Sequence, residues 1–462
     1  MNKKKRWGKL VWGYVFLCSL ILGTIFIFSN YKYRDINGMV YLTFFINTIV
    51  IIINLVRRDE LGYSLDGIVW LFMLIFMSFA PLIQYFNNSF PWEGGNCFSD
   101  IILIKTNLII LFFILVYSIA RKIIKSKIEK FKVRKKVLII NNEKIILNFG
   151  FYISIILTLY IVYKTGFTNL FSRSTNNIEI GNSSILLVID NTFRAFPLIV
   201  FSMMYIYKFI NGKSYNKWKV IILLFFSVLI NFPTGLPRFQ MAAIYIGLMI
   251  ILKRNFNNKY FFKILIIFGI LIIFPLINVF RYNTINDIVN LNMSLPNPVE
   301  DFLKGDFDSY SMIVRCINYI NLNGSTLGYQ LLGNIFFFIP RTFWNLKPVG
   351  SGVFIATNLG WNFKNVSFPY IAEGIINFGI LGLILFAIVL AYFNTILDLR
   401  YKFSIGNKSG KLEIIQVFYP YIIGFIFFIM RGDLLSSLSF TFAFCFPIII
   451  LISLDKLISL FN

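Results

Sequence analysis

A few residues in the second half of this chain have the types and spacing to hold an anion and to move a proton. Arg341, Trp344 and Lys347 fall in IPRTFWNLKPVGSG, Glu373 in SFPYIAEGIINFGILG, and Arg431 and Asp433 in MRGDLLSS, while Arg238 ends the earlier NFPTGLPRF. A guanidinium presents a planar fork that grips two phosphate oxygens at once and keeps its charge at any physiological pH. A carboxylate can take the proton of an attacking hydroxyl, and in a chain without histidine that task falls to Asp, Glu or Tyr. The usual zinc sites lose their main nitrogen ligand for the same reason. Cys18, Cys97, Cys316 and Cys445 show no metal-binding spacing, so no metal or cofactor is expected. Cys97 and Cys316 are open to two readings, a disulfide or two free thiols. Trp344 offers a ring for stacking on a sugar, although a tryptophan of the membrane interface is the ordinary use.

The elements that must position these groups are apolar. With 58% hydrophobic and 14% charged residues and a mean hydropathy of +0.75, the composition lies outside the soluble range. Apolar runs long enough to cross a bilayer recur throughout, so the expected fold is an all-α polytopic membrane protein. About twelve spans are expected, near 10–28, 38–56, 67–86, 101–120, 145–163, 192–210, 219–232, 238–252, 264–280, 371–394, 414–430 and 434–454. The run after MNKKKRWGKL has no small-residue cleavage site and reads as an uncleaved first span. With the N-terminus inside, thirty of the forty-four Lys and Arg residues flank spans on the inner side, which puts both termini in the cytoplasm. The net charge of +24 is thus a topology signal and not a nucleic-acid footprint. The whole chain, 1–462, reads as one integral membrane domain. Its largest non-membrane segment, 281–370 between spans nine and ten, is expected to be an outer-face loop acting as a partial lid.

Arginine is used unevenly. Seven of the thirty inner cations are arginines, against eight of the thirteen outer ones: Arg34, Arg173, Arg194, Arg238, Arg281, Arg315, Arg341 and Arg431. Arg194, Arg238 and Arg431 are expected at or just before outward helix N-termini, where the macrodipole disfavours a cation by about 0.3–1 kcal/mol and favours an anion. As a set the arginines read as an outer anion site. Singly, each is equally explained by snorkelling to headgroups or by pairing with an acid such as Asp190 or Asp433. Glu373, in the expected first turn of span ten, is either a helix-end acid or a base.

The succession FMSFAPLIQY, NFPTGLPRF, IPRTFWNLKPVGSG, NVSFPYIAEGIINFGILG and RGDLLSS resembles the Wzy-type O-antigen and oligosaccharide repeat-unit polymerases, scattered over about residues 66 to 440. Arg341 and Gly352 also have the R-x10-G spacing described for some of them. The resemblance implies a metal-independent glycosyltransferase of GT-C-like architecture in the bacterial cytoplasmic (inner) membrane. Its substrates would be undecaprenyl-diphosphate-linked oligosaccharides, joined on the outer side into an O-antigen or capsule-type polysaccharide. A chain-length regulator and a flippase in the same membrane are the implied partners. By position, Arg341, Lys347, Glu373 and Arg431 match, with Arg238 beside them. Glu373, Arg341 and Arg431 are the catalytic candidates, and Arg238, Arg194, Arg281, Lys347, Trp344 and Asp433 the candidates for holding diphosphate or sugar. Three alternatives stand beside this one. An O-antigen ligase leans on an outer-loop histidine, which is missing here. A lipid-linked oligosaccharide flippase needs cations at mid-membrane depth, where Lys105 is the one clear case. A non-catalytic scaffold for polysaccharide assembly does not require the arginine bias.

Overall fold

Backbone that crosses hydrocarbon must close its hydrogen bonds within the chain, and long apolar runs do so as helices. The computed structural model of the protein describes residues 37–56, 62–92, 98–130, 138–171, 184–254, 261–273, 298–406 and 410–461. In chain order its helices are α1 Gly38–Leu55, α2 Leu65–Phe86, α3 Asp100–Lys130, α4 Glu143–Thr165, α5 Ser184–Tyr205, α6 Lys217–Ile230, α7 Arg238–Leu252 and α8 Phe261–Phe268. They continue with α9 Pro298–Phe302, α10 Ser309–Asn323, α11 Tyr329–Ile335, α12 Ser351–Asn358, α13 Tyr370–Gly406, α14 Ile414–Arg431 and α15 Leu434–Phe461. Among the described residues the β-type pairing is limited to an isolated bridge between Ile139 and Glu413. Nine helices among the described residues are long and apolar enough to cross a membrane, which makes this a multi-pass helical membrane protein. The expected span at 10–28 lies outside the described residues, and that at 264–280 is described only as far as residue 273. The span at 238–252 is α7, whose fifteen residues reach only about 22 Å.

Among the described residues two large hydrophobic cores form, beside a small cluster of Ile161, Leu170 and Ile230. Buried residues of α1, α2, α3, α10, α12 and α13 build one, and those of α4, α5, α7 and α15 build the other. Helix α14 stands between them, giving Tyr419, Ile423 and Met430 to the first and Val417, Tyr421 and Phe425 to the second. It runs antiparallel to α7: Phe239 stacks on Phe428 at 3.6 Å, and farther along Arg254 reaches Gln416 at 2.9 Å. Midway, a Cβ on Gly424 would sit 2.2 Å from the Cα of Ala243, so only glycine allows the two backbones this close. Helix α2 is enclosed by protein along its whole apolar length.

The expected span at 371–394 is not one straight helix. Phe378 (φ −142°) and Gly379 (φ +59°) break α13 into a short arm, 370–377, and a long arm, 380–406. The arms fold back on each other: the Tyr370 ring lies tilted against Phe386 at 5.0 Å and its hydroxyl donates to the Phe386 carbonyl at 3.2 Å. Gly374 and Gly382 meet at the crossing, where a Cβ on Gly382 would lie 1.9 Å from the Gly374 oxygen. The left-handed backbone at Gly379 makes the reversal possible. Amide groups of Thr326 and Gly328 cap the freed carbonyls of Ile376 and Asn377 at 2.8 and 3.1 Å.

Near the far end of the long arm, charges are buried between helices. Arg121 on α3 pairs with Asp66 of α2 at 2.8 Å and with Asp398 of α13 at 3.5 Å. Tyr117 donates to Asp66 at 2.9 Å and Tyr419 to Asp398 at 2.6 Å. The α3 helix runs on to Lys130 and takes Arg121 with it.

Replacing Gly382 by alanine should force the arms of α13 apart and lower the thermal stability of the purified protein by several degrees. Gly406→Ala, with nothing within 4 Å of its added Cβ, should leave it unchanged. Equal melting temperatures for the two variants would contradict the close crossing.

Candidate functional site

The site is built around a turn that the sequence does not announce. The stretch VEDFLKGDFDSYSMIVRCINYI reads as one helical piece but breaks between α9 and α10 into a 3-10 turn, Gly305–Phe307. Gly305 allows it, since a Cβ there would be 2.4 Å from the Trp92 indole. The turn presents two acids. Arg238, the first residue of α7, forks onto Asp306 with Nη1–Oδ2 at 2.8 Å and Nη2–Oδ1 at 2.7 Å. Arg431 donates to the carbonyls of Asp306 at 2.9 Å and Gly305 at 3.2 Å and reaches Asp308 Oδ1 at 3.5 Å. Asp308 is fully buried and accepts from Trp92 Nε1 at 2.7 Å, from Ser367 N at 3.1 Å and from the Ser367 hydroxyl. Below it Arg315 lies over Trp361 at 4.8 Å and Phe98 at 5.1 Å and donates to the Pro91 carbonyl at 2.9 Å. Burial pushes the Arg315 guanidinium down to about 10, with Asp308 pulling the other way.

A pair of carboxylates adjoins this turn through Arg431, Gly432 and Asp433. Glu373, on the short arm of α13, is fully buried and accepts from Ser351 Oγ at 2.9 Å and from Leu434 N at 3.0 Å. Asp433 is half-buried and caps α15, accepting from Leu435 N at 2.9 Å and from Gly352 N at 3.0 Å. Two glycines let the chain come this near. A Cβ on Gly350 would be 2.4 Å from Asp433 Oδ2, and one on Gly352 would be 2.7 Å from the Val366 oxygen. Burial pushes the Asp433 carboxyl above its usual range, against the pull of the backbone N–H groups of Gly352, Ser436 and Leu435.

The structure thus joins Arg238, Arg431, Asp433 and Glu373 and adds Asp306, Asp308 and Arg315. The other expected residues are used differently. Arg341 donates to the carbonyls of Lys347 at 2.6 Å and Pro348 at 3.1 Å, and Lys347 returns the bond to Phe337 O at 2.6 Å and Ile339 O at 2.8 Å. Trp344, partly exposed, donates its backbone N–H to Pro340 O at 3.1 Å. Arg194 is not at a helix N-terminus: α5 starts at Ser184 and runs through it, held by an i,i+4 pair with Asp190 at 3.2 Å and a bond to Ile230 O at 2.6 Å. Arg431 lies three residues before the start of α15 at Leu434, as expected. It is the last residue of α14, the helix end where the dipole favours a cation. Of the three arginines expected at or just before helix starts, Arg238 begins α7 and Arg431 precedes α15, whereas Arg194 lies inside α5. Arg281 and Cys97 lie outside the described residues, while Cys316 is a buried free thiol whose Sγ lies 3.6 Å from Ala372 O. Among the described residues no three His, Cys, Asp or Glu side chains gather as metal ligands. Sequence reasoning passed over Asp306 and Asp308. The available signal was GDFDS itself, two acids closely spaced in a chain with only twenty among 462 residues.

Fold and site together define a polytopic helical membrane protein with a buried cluster of arginines and carboxylates at one end of its bundle. No protein-family model matches the chain, and no curated protein or solved structure does.

An acid whose folded-state pKa is raised binds its proton more tightly when folded, so acidification favours the folded state. The wild-type protein should therefore gain stability relative to Asp433→Asn as pH falls from 7 toward 5, measured by thermal unfolding of both at each pH. Parallel pH profiles would show that Asp433 carries no raised pKa.

Proposed function

We propose that this protein is a glycosyltransferase that polymerises undecaprenyl-diphosphate-linked oligosaccharide repeat units into a surface polysaccharide. The reading places about twelve spans in a GT-C-like arrangement in a bacterial cytoplasmic membrane, with the arginine–carboxylate cluster on the outer side. The observation that supports it most is the fork of Arg238 on Asp306. A bidentate carboxylate has the geometry of two phosphate oxygens, and it sits at the start of α7, where the helix dipole favours an anion. Asp306, partly exposed, holds the place that an incoming diphosphate takes over.

In this reading the acceptor hydroxyl attacks the anomeric carbon of the donor sugar. The bond from that carbon to the diphosphate oxygen breaks, and its electron pair leaves with the lipid diphosphate. Arg238 and Arg431 stabilise the charge that develops there. The hydroxyl proton passes to Asp433, the more accessible carboxylate, while fully buried Glu373 fixes Ser351 and the start of α15. Arg341 and Lys347 act on the loop backbone and not on the diphosphate.

Deleting the gene in its bacterium should leave surface glycans one repeat unit long, whereas lipid-linked units held facing the cytoplasm would indicate a flippase. Arg238→Lys keeps the charge and loses the fork. It should cut polymer formation by about 100-fold or more, in line with the loss of one transition-state contact, with membrane levels of the protein unchanged. Full-length glycan from that variant would count against the diphosphate role.

A further inference from the structure

The segment 327–349 has its polarity turned inside out. Gln330 and Asn334, one helical turn apart on α11, are 1% exposed, and Lys347 is 5% exposed. On the other side of the same segment Phe338 is 57%, Leu346 79% and Phe343 86% exposed. In water this arrangement is costly, about 25 cal/mol for each Å² of apolar surface left uncovered. The segment also closes on itself. Arg341 and Lys347 bond the carbonyls of one another's strand of chain, the Tyr329 hydroxyl donates to Leu346 O, and Gly333 lies against Pro348. It forms a hairpin whose unpaired backbone acceptors are supplied by its own cations.

Its neighbours set its level. Asp433 and Asp455 bracket a stretch of α15 without charge that covers about 30 Å, the thickness of a hydrocarbon core. The ring of Phe337 packs on that of Phe442 at 5.4 Å, and Phe442 lies on α15 about 12 Å beyond Leu434. Phe442 is itself exposed, as are Phe446 and Ile449 further down the same helix. The hairpin's apolar face therefore continues the lipid-facing surface of a membrane span.

We propose that residues 327–349 form an interfacial hairpin seated in the leaflet on the Arg431 side, with Phe338, Phe343 and Leu346 among the acyl chains. Arg341, Trp344 and Tyr329 suit the headgroup level, the first by snorkelling and the aromatics by their amphipathic rings. The segment that sequence alone assigns to an aqueous loop is in this part solvated by lipid. Its backbone is compatible with that environment because its own two cations, Arg341 and Lys347, satisfy four carbonyl oxygens.

The test reads depth, not activity, so its outcome is independent of the polymerase reading. Cysteines introduced at Phe338, Phe343 and Leu346, all exposed and outside the packed cores, are spin-labelled in protein reconstituted into phospholipid vesicles. Signal from the native cysteines is measured on the unmodified protein and subtracted. Collisions with oxygen, which concentrates in lipid, are compared with those of a water-soluble nickel chelate. The three sites should favour oxygen several-fold, and a label at exposed Lys364 should favour the nickel chelate. Nickel accessibility at Phe338 and Phe343 equal to that at Lys364 would return the segment to water and overturn the proposal. Exclusion of both reagents would overturn it too, by showing a face covered by a second copy of the chain.

Discussion

Every polar group that leaves water in this protein needs a partner supplied by the protein itself, and most of its unusual features follow from that requirement. The reversal at Phe378 and Gly379 frees carbonyls that the amides of Thr326 and Gly328 take up. The start of α15 is closed by Asp433, and the Leu434 amide by Glu373. Asp308, with no exposure at all, is surrounded by donors from Trp92, Ser367 and Arg431. Apart from the local Asp433 cap, each of these repairs draws on a distant part of the chain. Breaks in regular helix and long-range polar contacts therefore occur in the same places.

The arginines illustrate how that constraint shapes function. Arg238, Arg315 and Arg431 converge, yet none stands open as a bare cation: each is held by an acid, a carbonyl or an aromatic face. An anionic ligand reaching them must exchange with a carboxylate, and Asp306, the least enclosed of the local acids bonded to them, is the one suited to leave.

Much of the architecture was legible in the chain. Apolar run length placed the helices from α1 through α6 and α13 through α15 close to where they lie, because hydrocarbon thickness imposes a minimum length and little else. What escaped were the features decided by pairs of distant residues. The doubling back of α13 needs Gly374 and Gly382 to meet, and in a hydropathy profile both look like ordinary small residues of one span. Arg194 looked like a helix boundary because its charge interrupts an apolar run, whereas Asp190 one turn earlier neutralises it and the helix continues. Among the site residues, Arg238, Arg431, Asp433 and Glu373 were recognisable by type, since ionisable groups at the rim of a bundle are rare. Asp306 and Asp308 were not, because an acid in an aqueous loop carries no such signal.

Helix α14 touches both hydrophobic cores and ends in Arg431, with small residues bringing it against α7. It is shared by both: displacing it would disturb the packing of the two cores together and separate Phe428 from Phe239. A single substitution at the Gly424–Ala243 crossing would therefore be felt on both sides of the bundle at once.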